Sequence, residues 1–233
     1  MTERERVFSS PGYAGVSLTR ETKANIDLIN EKLPQIIYNQ GVLEEMRISE
    51  EQIDALIHDP TAEVEGVSAA DIQKTLNLYE AWSFVTDPDV LDFPTDLNVM
   101  CEIAKRVNCN LLHQPGSPRK TPVHISGTTY QPAIPIESVI RDDYRRIIEE
   151  SADPADAAMG LCLYSMRAQI FLDGNKRASV VLANHYLVRH GAGLLVVPAE
   201  DVPEFRNVMV RFYESNDMTE AKEFMSRLLI PTQ

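Results

Sequence analysis

No apolar run in the 233 residues reaches membrane-spanning length, and Met1 to Arg6 are charged with no apolar stretch behind them. A spanning helix and a secretory leader are therefore not expected, and a cytoplasmic location is. Cysteine is scarce: Cys101, Cys109 and Cys162 are odd in number, lack metal-ligand spacing and sit among residues of helical apolar pattern. Structural thiols in a reducing compartment are expected, rather than a disulfide framework or a zinc site. Cations are outnumbered, with 22 Lys and Arg against 35 Asp and Glu and a net charge of -13. That balance excludes a general nucleic-acid surface, whose affinity comes from neutralising phosphates, and favours a protein partner. Any anion the chain does bind must be held locally against an unfavourable overall field. Internal repeats and low-complexity segments are absent.

What remains is a chain patterned for helices. After a lead-in containing Pro11, Gly12 and Gly15, a stripe of Ile26, Ile29, Leu33, Ile36 and Ile37 predicts a helix, kinked or split by Pro34 and ended by Gly41. Ser49 to Gln52 forms a capping-box pattern ahead of Ile53, Leu56 and Ile57, with His58 placed as a C-terminal helix residue rather than a ligand. Ser68 opens a further helix with Ile72, Leu76, Tyr79 and Trp82 on one face, Asp87 to Pro94 is a connector, and Thr95 caps a helix carrying Leu97, Met100, Ala104 and Val107. Pro115 to Pro118 break the pattern. Alternation from Val123 to Tyr130 around Ser126-Gly127 predicts two short strands in a hairpin. The helix from Ile136 to Glu150 is expected to bury Val139, Ile140, Tyr144, Ile147 and Ile148. Asp153-Pro154 starts another, and the apolar run after Asn175 marks a central helix. Leu194 to Val197 reads as extended, with helices over about 201–214 and 219–229.

Chemistry concentrates where the last two long helices meet, in Arg167-Ala168-Gln169-Ile170-Phe171-Leu172-Asp173-Gly174-Asn175-Lys176-Arg177. Gly174 permits a sharp turn into a helix whose first N–H groups and positive dipole end then face one small space, a mouth that favours phosphate. Lys176 and Arg177 add cationic donors, and Asp173 is an acceptor able to hold a divalent cation against a phosphate oxygen. An ordinary loop, with Asp173 and Asn175 as turn or cap residues and the basic pair solvated, fits the same residues.

Phe171, Asp173, Gly174, Asn175, Lys176 and Arg177 resemble the signature of the Fic/Doc (Fido) family, with similarity extending over roughly Thr61 to Leu229. Gln169 stands where that family places its catalytic histidine, and Val180 where many members carry a second arginine. The resemblance implies a mainly α fold, a Fic-type helical bundle with a small β-hairpin flap. It divides the chain into a lead-in and helical annex (1–60), an inhibitory segment (61–66) and a Fic core (67–230). Thr61, Glu65 and Gly66 match the inhibitory pattern, with Glu65 as its carboxylate, expected beside Arg177. Val123, His124, Ile125, Ser126, Gly127 and Thr128 match the flap that holds a target peptide as an added strand. ATP and Mg²⁺ are implied as cofactors, with Gly174, Asn175, Lys176 and Arg177 binding the nucleotide, Asp173 the metal, and Gln169, Asn175 and Arg177 at the catalytic positions. Family members transfer AMP to protein hydroxyls, while Doc, which also has lysine at the position of Lys176, transfers a phosphate. Glutamine has no lone pair basic enough to take the hydroxyl proton, so slow transfer, Doc-like chemistry or a silent binding fold are the expectations.

Overall fold

Thr19 accepts a hydrogen bond from the Thr22 N–H and so starts α1, which runs unbroken over Arg20–Leu43 through both Pro34 and Gly41. The structure, a computed structural model, describes residues 18–232, and the lead-in expected over residues 1–15 lies outside them. Beyond α1 come α2 (Glu50–His58), α3 (Ala69–Val85), α4 (Pro88–Leu91), α5 (Leu97–Val107), α6 (Glu137–Glu150), α7 (Pro154–Ala168) and α8 (Asn175–Arg189). A short strand β1 (Leu194–Leu195), a 3-10 turn, α9 (Val202–Ser215), α10 (Thr219–Ser226) and β2 (Leu229–Ile230) complete the mainly helical bundle. Among the described residues no helix is long and apolar enough to cross a membrane.

Local signals act where expected. Ser49 and Gln52 close a reciprocal capping box on α2, Ser68 caps α3, and Asp153 caps α7 with Pro154 in its first turn. The connector after Asp87 contains the one-turn helix α4, because Asp87 accepts from the Asp89 N–H ahead of Pro88. Asp96, rather than Thr95, caps α5, which leaves Thr95 buried and available to α8.

Helix α8 is the axis of the bundle, buried at nearly every position from Ala178 to Val188 and packed by α7, α5, α3 and α1. Ile29, Leu33, Ile36 and Ile37 of α1 share one apolar cluster with Trp82, Leu161 and Val181. Polar side chains fix the register of this packing. Asn184 brackets the Leu195 peptide with bonds of 2.8 Å in each direction, and Asn25 donates to the Gly193 carbonyl at 2.8 Å. The chain can then pair β1 antiparallel with β2, Leu194 facing Ile230 and Leu195 facing Leu229.

Two expectations change. The segment from Val123 to Tyr130 turns at Ser126-Gly127, with Gly127 at φ +83°, and alternates half-buried Val123 and Ile125 with exposed His124. Its arms do not pair with each other as strands; side chains of neighbouring elements hold them instead. Val139 on α6 is 50% exposed, because only the Ile140 and Tyr144 edge of that helix is fully covered. Among the thiols, Cys162 is buried, while Cys109 just past α5 is exposed.

His185 of α8 is fully buried between the Thr95 hydroxyl (2.8 Å from Nδ1) and the Val90 carbonyl (3.3 Å from Nε2), partners that assign the proton to Nε2. Burial pushes its pKa from 6.5 down to about 4, opposed in part by the bond to Val90. Below pH 6.5 the unfolded chain takes up a proton that the folded chain refuses until about pH 4. This contribution is complete above pH 6.5 and should be lost at about 1.4 kcal/mol per pH unit as the pH falls through that window. Urea unfolding at pH 7 and pH 5 should show a smaller loss in His185→Gln than in the parent. Equal losses would mean that the neutral imidazole is not the source.

Candidate functional site

The loop from Gln169 to Gly174 is shaped by amides. Gln169 ends α7 in the left-handed region at φ 47° and ψ 60°, an uncommon position for a residue other than glycine. Its Nε2 donates to the Met166 carbonyl at 2.6 Å, and its Oε1 accepts from Asn175 Nδ2 at 3.1 Å. Asn175 folds back across the loop, accepting the Phe171 N–H at 2.9 Å and donating to the Phe171 carbonyl at 2.8 Å. Gly174 enters α8 at φ +74°, where a Cβ would lie 2.7 Å from Asn108 Oδ1 and 3.0 Å from Val107 Cγ1. Asn108 Nδ2 in turn donates to the Asp173 carbonyl at 3.0 Å. No side chain caps the first turn of α8, so its leading N–H groups open on the mouth with the dipole behind them.

Charge at that mouth is gathered on a residue far away in sequence. Arg177 has no exposed surface, and its Nε lies 3.3 Å from Glu44 Oε2 while its Nη2 lies 3.2 Å from Asp173 Oδ2. Lys176, partly exposed at the rim, reaches Glu44 Oε1 at 3.2 Å. Nη1 of Arg177 donates to the Val107 carbonyl at 3.3 Å. Nη2 of Arg177 makes a hydrogen bond to Asp173, but the ion pairs with Glu44 are poorly directed: Glu44 Oε1 and Arg177 Nε are buried without a hydrogen-bond partner among the described residues.

Local structure explains how Glu44 arrives there. Helix α1 ends in paired main-chain bonds, Glu45 N–H to the Val42 carbonyl at 3.1 Å and Met46 N–H to the Gly41 carbonyl at 2.9 Å. This is the closure that usually places glycine at the left-handed position, here taken by Glu45 at φ 60°. One turn before Glu44, and on the same face of α1, the buried Gln40 donates to the Arg177 carbonyl at 2.9 Å and accepts from Trp82 Nε1 at 2.9 Å. The end of α1 is therefore docked on the beginning of α8.

The other sequence-predicted residues fall elsewhere. Thr61 closes a small turn on Asp59, bonding its carboxylate at 2.9 Å and 2.7 Å, which holds the Asp59 pKa below the ordinary range. Glu65 and Gly66 lie exposed in the connection between α2 and α3, and the Glu65 carbonyl accepts from Gln52 Nε2 at 3.0 Å. The carboxylates brought onto Arg177 are those of Glu44 and Asp173, not that of Glu65. Val180 is buried within the core. At the flap, Thr128 Oγ1 donates to Glu214, and Glu214 also accepts the Thr129 N–H at 2.7 Å. Bonds from Thr128, then Thr129, keep the Glu214 carboxyl below its ordinary pKa. Asp173 is exposed at the loop tip, and no group of three or more His, Cys, Asp or Glu among the described residues could hold a metal by itself.

Glu44 and Gln40 were missed by sequence reasoning, although a signal exists. Leu33, Ile37, Gln40 and Glu44 continue one helical stripe at spacings of four, three and four, and two polar residues on a core-facing stripe demand buried partners.

No protein-family model and no curated protein sequence matches the chain. Solved structures do. Fic-1 (residues 134–508) from C. elegans superposes with a TM-score of 0.72 at 17% identity, covering 96% of this chain and 66% of that fragment. A Fic-domain-containing signalling protein from Bacteroides thetaiotaomicron VPI-5482 gives 0.67 at 18% identity, covering 88% of this chain and 80% of its own. A Fic family protein from Desulfovibrio desulfuricans G20 gives 0.67 at 13% identity, covering 92% and 73%. At these identities the likeness is one of fold, and the fold is that of Fic-domain proteins.

Gly174→Ala should destabilise the protein by about 1–3 kcal/mol, from strain at positive φ together with the close approach of Asn108. Denaturant unfolding measures it, and a loss below about 0.5 kcal/mol would mean that the loop relaxes freely.

Proposed function

We propose that this chain is a Fic-fold nucleotide-binding protein, with transfer chemistry crippled at Gln169 and a phosphate site held shut by Glu44. One observation carries the reading. Two cations at an uncapped helix mouth share the Glu44 carboxylate, Arg177 bonding Asp173 as well, yet Glu44 Oε1 and Arg177 Nε are left without a hydrogen bond among the described residues. A phosphate there would supply more acceptor oxygens in better directions, and leading N–H groups of α8 would reach it together with Lys176 and Arg177. Glu44 takes the place of that anion, and the inhibitory role that the family resemblance assigns to Glu65 passes to Glu44.

Asp173 is the loop carboxylate that would meet Mg²⁺, which would arrive bound to the nucleotide because no multi-residue metal site exists among the described residues. The metal supplies charge neutralisation on phosphate oxygens. Gln169 cannot accept a proton at neutral pH, and both ends of its amide are engaged in shaping the loop. A histidine at this position tolerates the left-handed backbone and would add a base, a contribution of about 10² to 10⁴-fold. AMP transfer and Doc-like phosphate transfer differ in nucleotide pose, and Lys176 favours the second. A silent binding fold is the other reading, favoured by the complete burial of Arg177.

Calorimetry with Mg-ATP should give micromolar to millimolar binding, about 4 to 8 kcal/mol. Glu44→Gly should bind at least about tenfold more tightly, a gain of about 1.4 kcal/mol. No heat from either protein at millimolar nucleotide would establish the silent fold. The double change Gln169→His with Glu44→Gly should gain mass on incubation with Mg-ATP, as AMP or as phosphate. Strong transfer by the unmodified chain would overturn the assignment of Gln169 as crippling.

A further inference from the structure

Arg119 is a buried guanidinium with 3% exposure, and no ion pair involves it among the described residues. Burial lowers its pKa, opposed in part by Tyr130, and its side-chain hydrogen bonds among the described residues go to main-chain oxygens. On one side its Nε donates to the Gln169 carbonyl at 2.6 Å, and its own N–H donates to the Ile170 carbonyl at 2.9 Å. On the other side Nη1 donates to the Thr121 carbonyl at 2.7 Å, and Nη2 to those of Pro132 at 3.2 Å and Ala133 at 2.6 Å. Thr121 leads into the flap segment, and Pro132 and Ala133 lead out of it. The flap arms lack strand pairing with each other, so the Arg119 side chain closes the base of the flap and fastens it to the turn that carries residue 169, while Arg167 of α7 separately bonds Tyr130 at 3.1 Å and lies over its ring. The planar fork makes the junction stiff, because its donors are fixed relative to one another and each meets a different carbonyl.

We infer that Arg119 is the positioning residue that couples the flap to the 169–174 loop, so that displacement of residues 123–130 biases the turn at Gln169 and Asn175. The inference rests on the proposed function for its meaning, but its geometry does not depend on nucleotide binding. Force on the flap passes through Thr121, Pro132 and Ala133 to the guanidinium, then to the Gln169 carbonyl. From there the Gln169 amide meets Asn175, whose side chain holds the Phe171 peptide.

Amide hydrogen exchange on the full chain without nucleotide tests it. Glu214→Ala releases the flap tip by removing the acceptor for Thr128 and Thr129. With Arg119 present, the release should speed exchange at the Thr129 amide and, by at least about threefold, at the Arg119 and Phe171 amides, which are bonded to Ile170 and Asn175. With Arg119→Lys, which keeps the charge but not the fork, Glu214→Ala should speed Thr129 and leave Phe171 unchanged. Phe171 unmoved by flap release in the native background overturns the proposal, as does equal acceleration in the lysine background. If Arg119→Lys does not fold, Glu214→Ala is compared with and without Arg167→Ala: no acceleration at Phe171 rejects the coupling, as does acceleration that vanishes with Arg167, and acceleration that persists without Arg167 supports the Arg119 route. Failure of Mg-ATP to bind would remove the proposed function without altering any of these outcomes.

Discussion

Burying a guanidinium is the demand around which the site is arranged. Arg177 has no exposed surface, and leaving such a charge unpaired costs several kcal/mol. Three elements answer it: Glu44 at the end of α1, Asp173 in the loop, and the Val107 carbonyl at the end of α5. Each must stay where it is for the charge to remain buried. The requirement thus fixes how α1 and α5 meet the start of α8. Gln40 reinforces it by bridging Trp82 of α3 to the Arg177 carbonyl. The arrangement is polar where a bundle of this kind is otherwise apolar, and it is incompletely satisfied, as Glu44 Oε1, Asn108 Oδ1 and Arg177 Nε show. Partial satisfaction in a buried network marks a place where another partner would be favourable.

Amides hold the loop in its form. Asn175 closes a ring on Phe171, Gln169 completes that ring from the other side, and Asn108 supports Asp173 from α5. The side chain of Gln169 therefore has a structural task of its own. In the proposed reading this task explains how the phosphate-binding shape outlasts the base. The field is local as well, for a chain carrying a net charge of -13 still gathers Arg119, Lys176 and Arg177 around one turn.

Much of this was legible in sequence wherever the cause is local. The capping box at Ser49, the Asp153-Pro154 start and the need for glycine at 174 depend on neighbours a few residues away, and each appears in the structure. The long run of apolar residues after Asn175 correctly marked the central helix, since only a helix buried on nearly all sides tolerates that composition. Glu44 was not legible, because its role depends on α1 continuing past Gly41 and docking on α8, a contact between residues 133 positions apart (177 − 44). The pattern at Thr61 to Gly66 matches in spelling without the packing that would bring Glu65 to Arg177. The flap turn was visible in Ser126-Gly127, whereas what holds its arms, Arg119 and Glu214, lies outside the hairpin pattern.

In the proposed reading the mouth of α8 is an anion site with Glu44 standing in it. Titration with inorganic phosphate, followed through the backbone amide resonances of Asn175, Lys176 and Arg177, tests this without reference to any transfer reaction. These amides should shift in Glu44→Gln at phosphate concentrations at least about tenfold lower than in the native chain, since removal of the carboxylate is then worth about 1.4 kcal/mol to an incoming anion. Amides that remain unmoved by phosphate in both proteins, or that respond identically in the two, would contradict it.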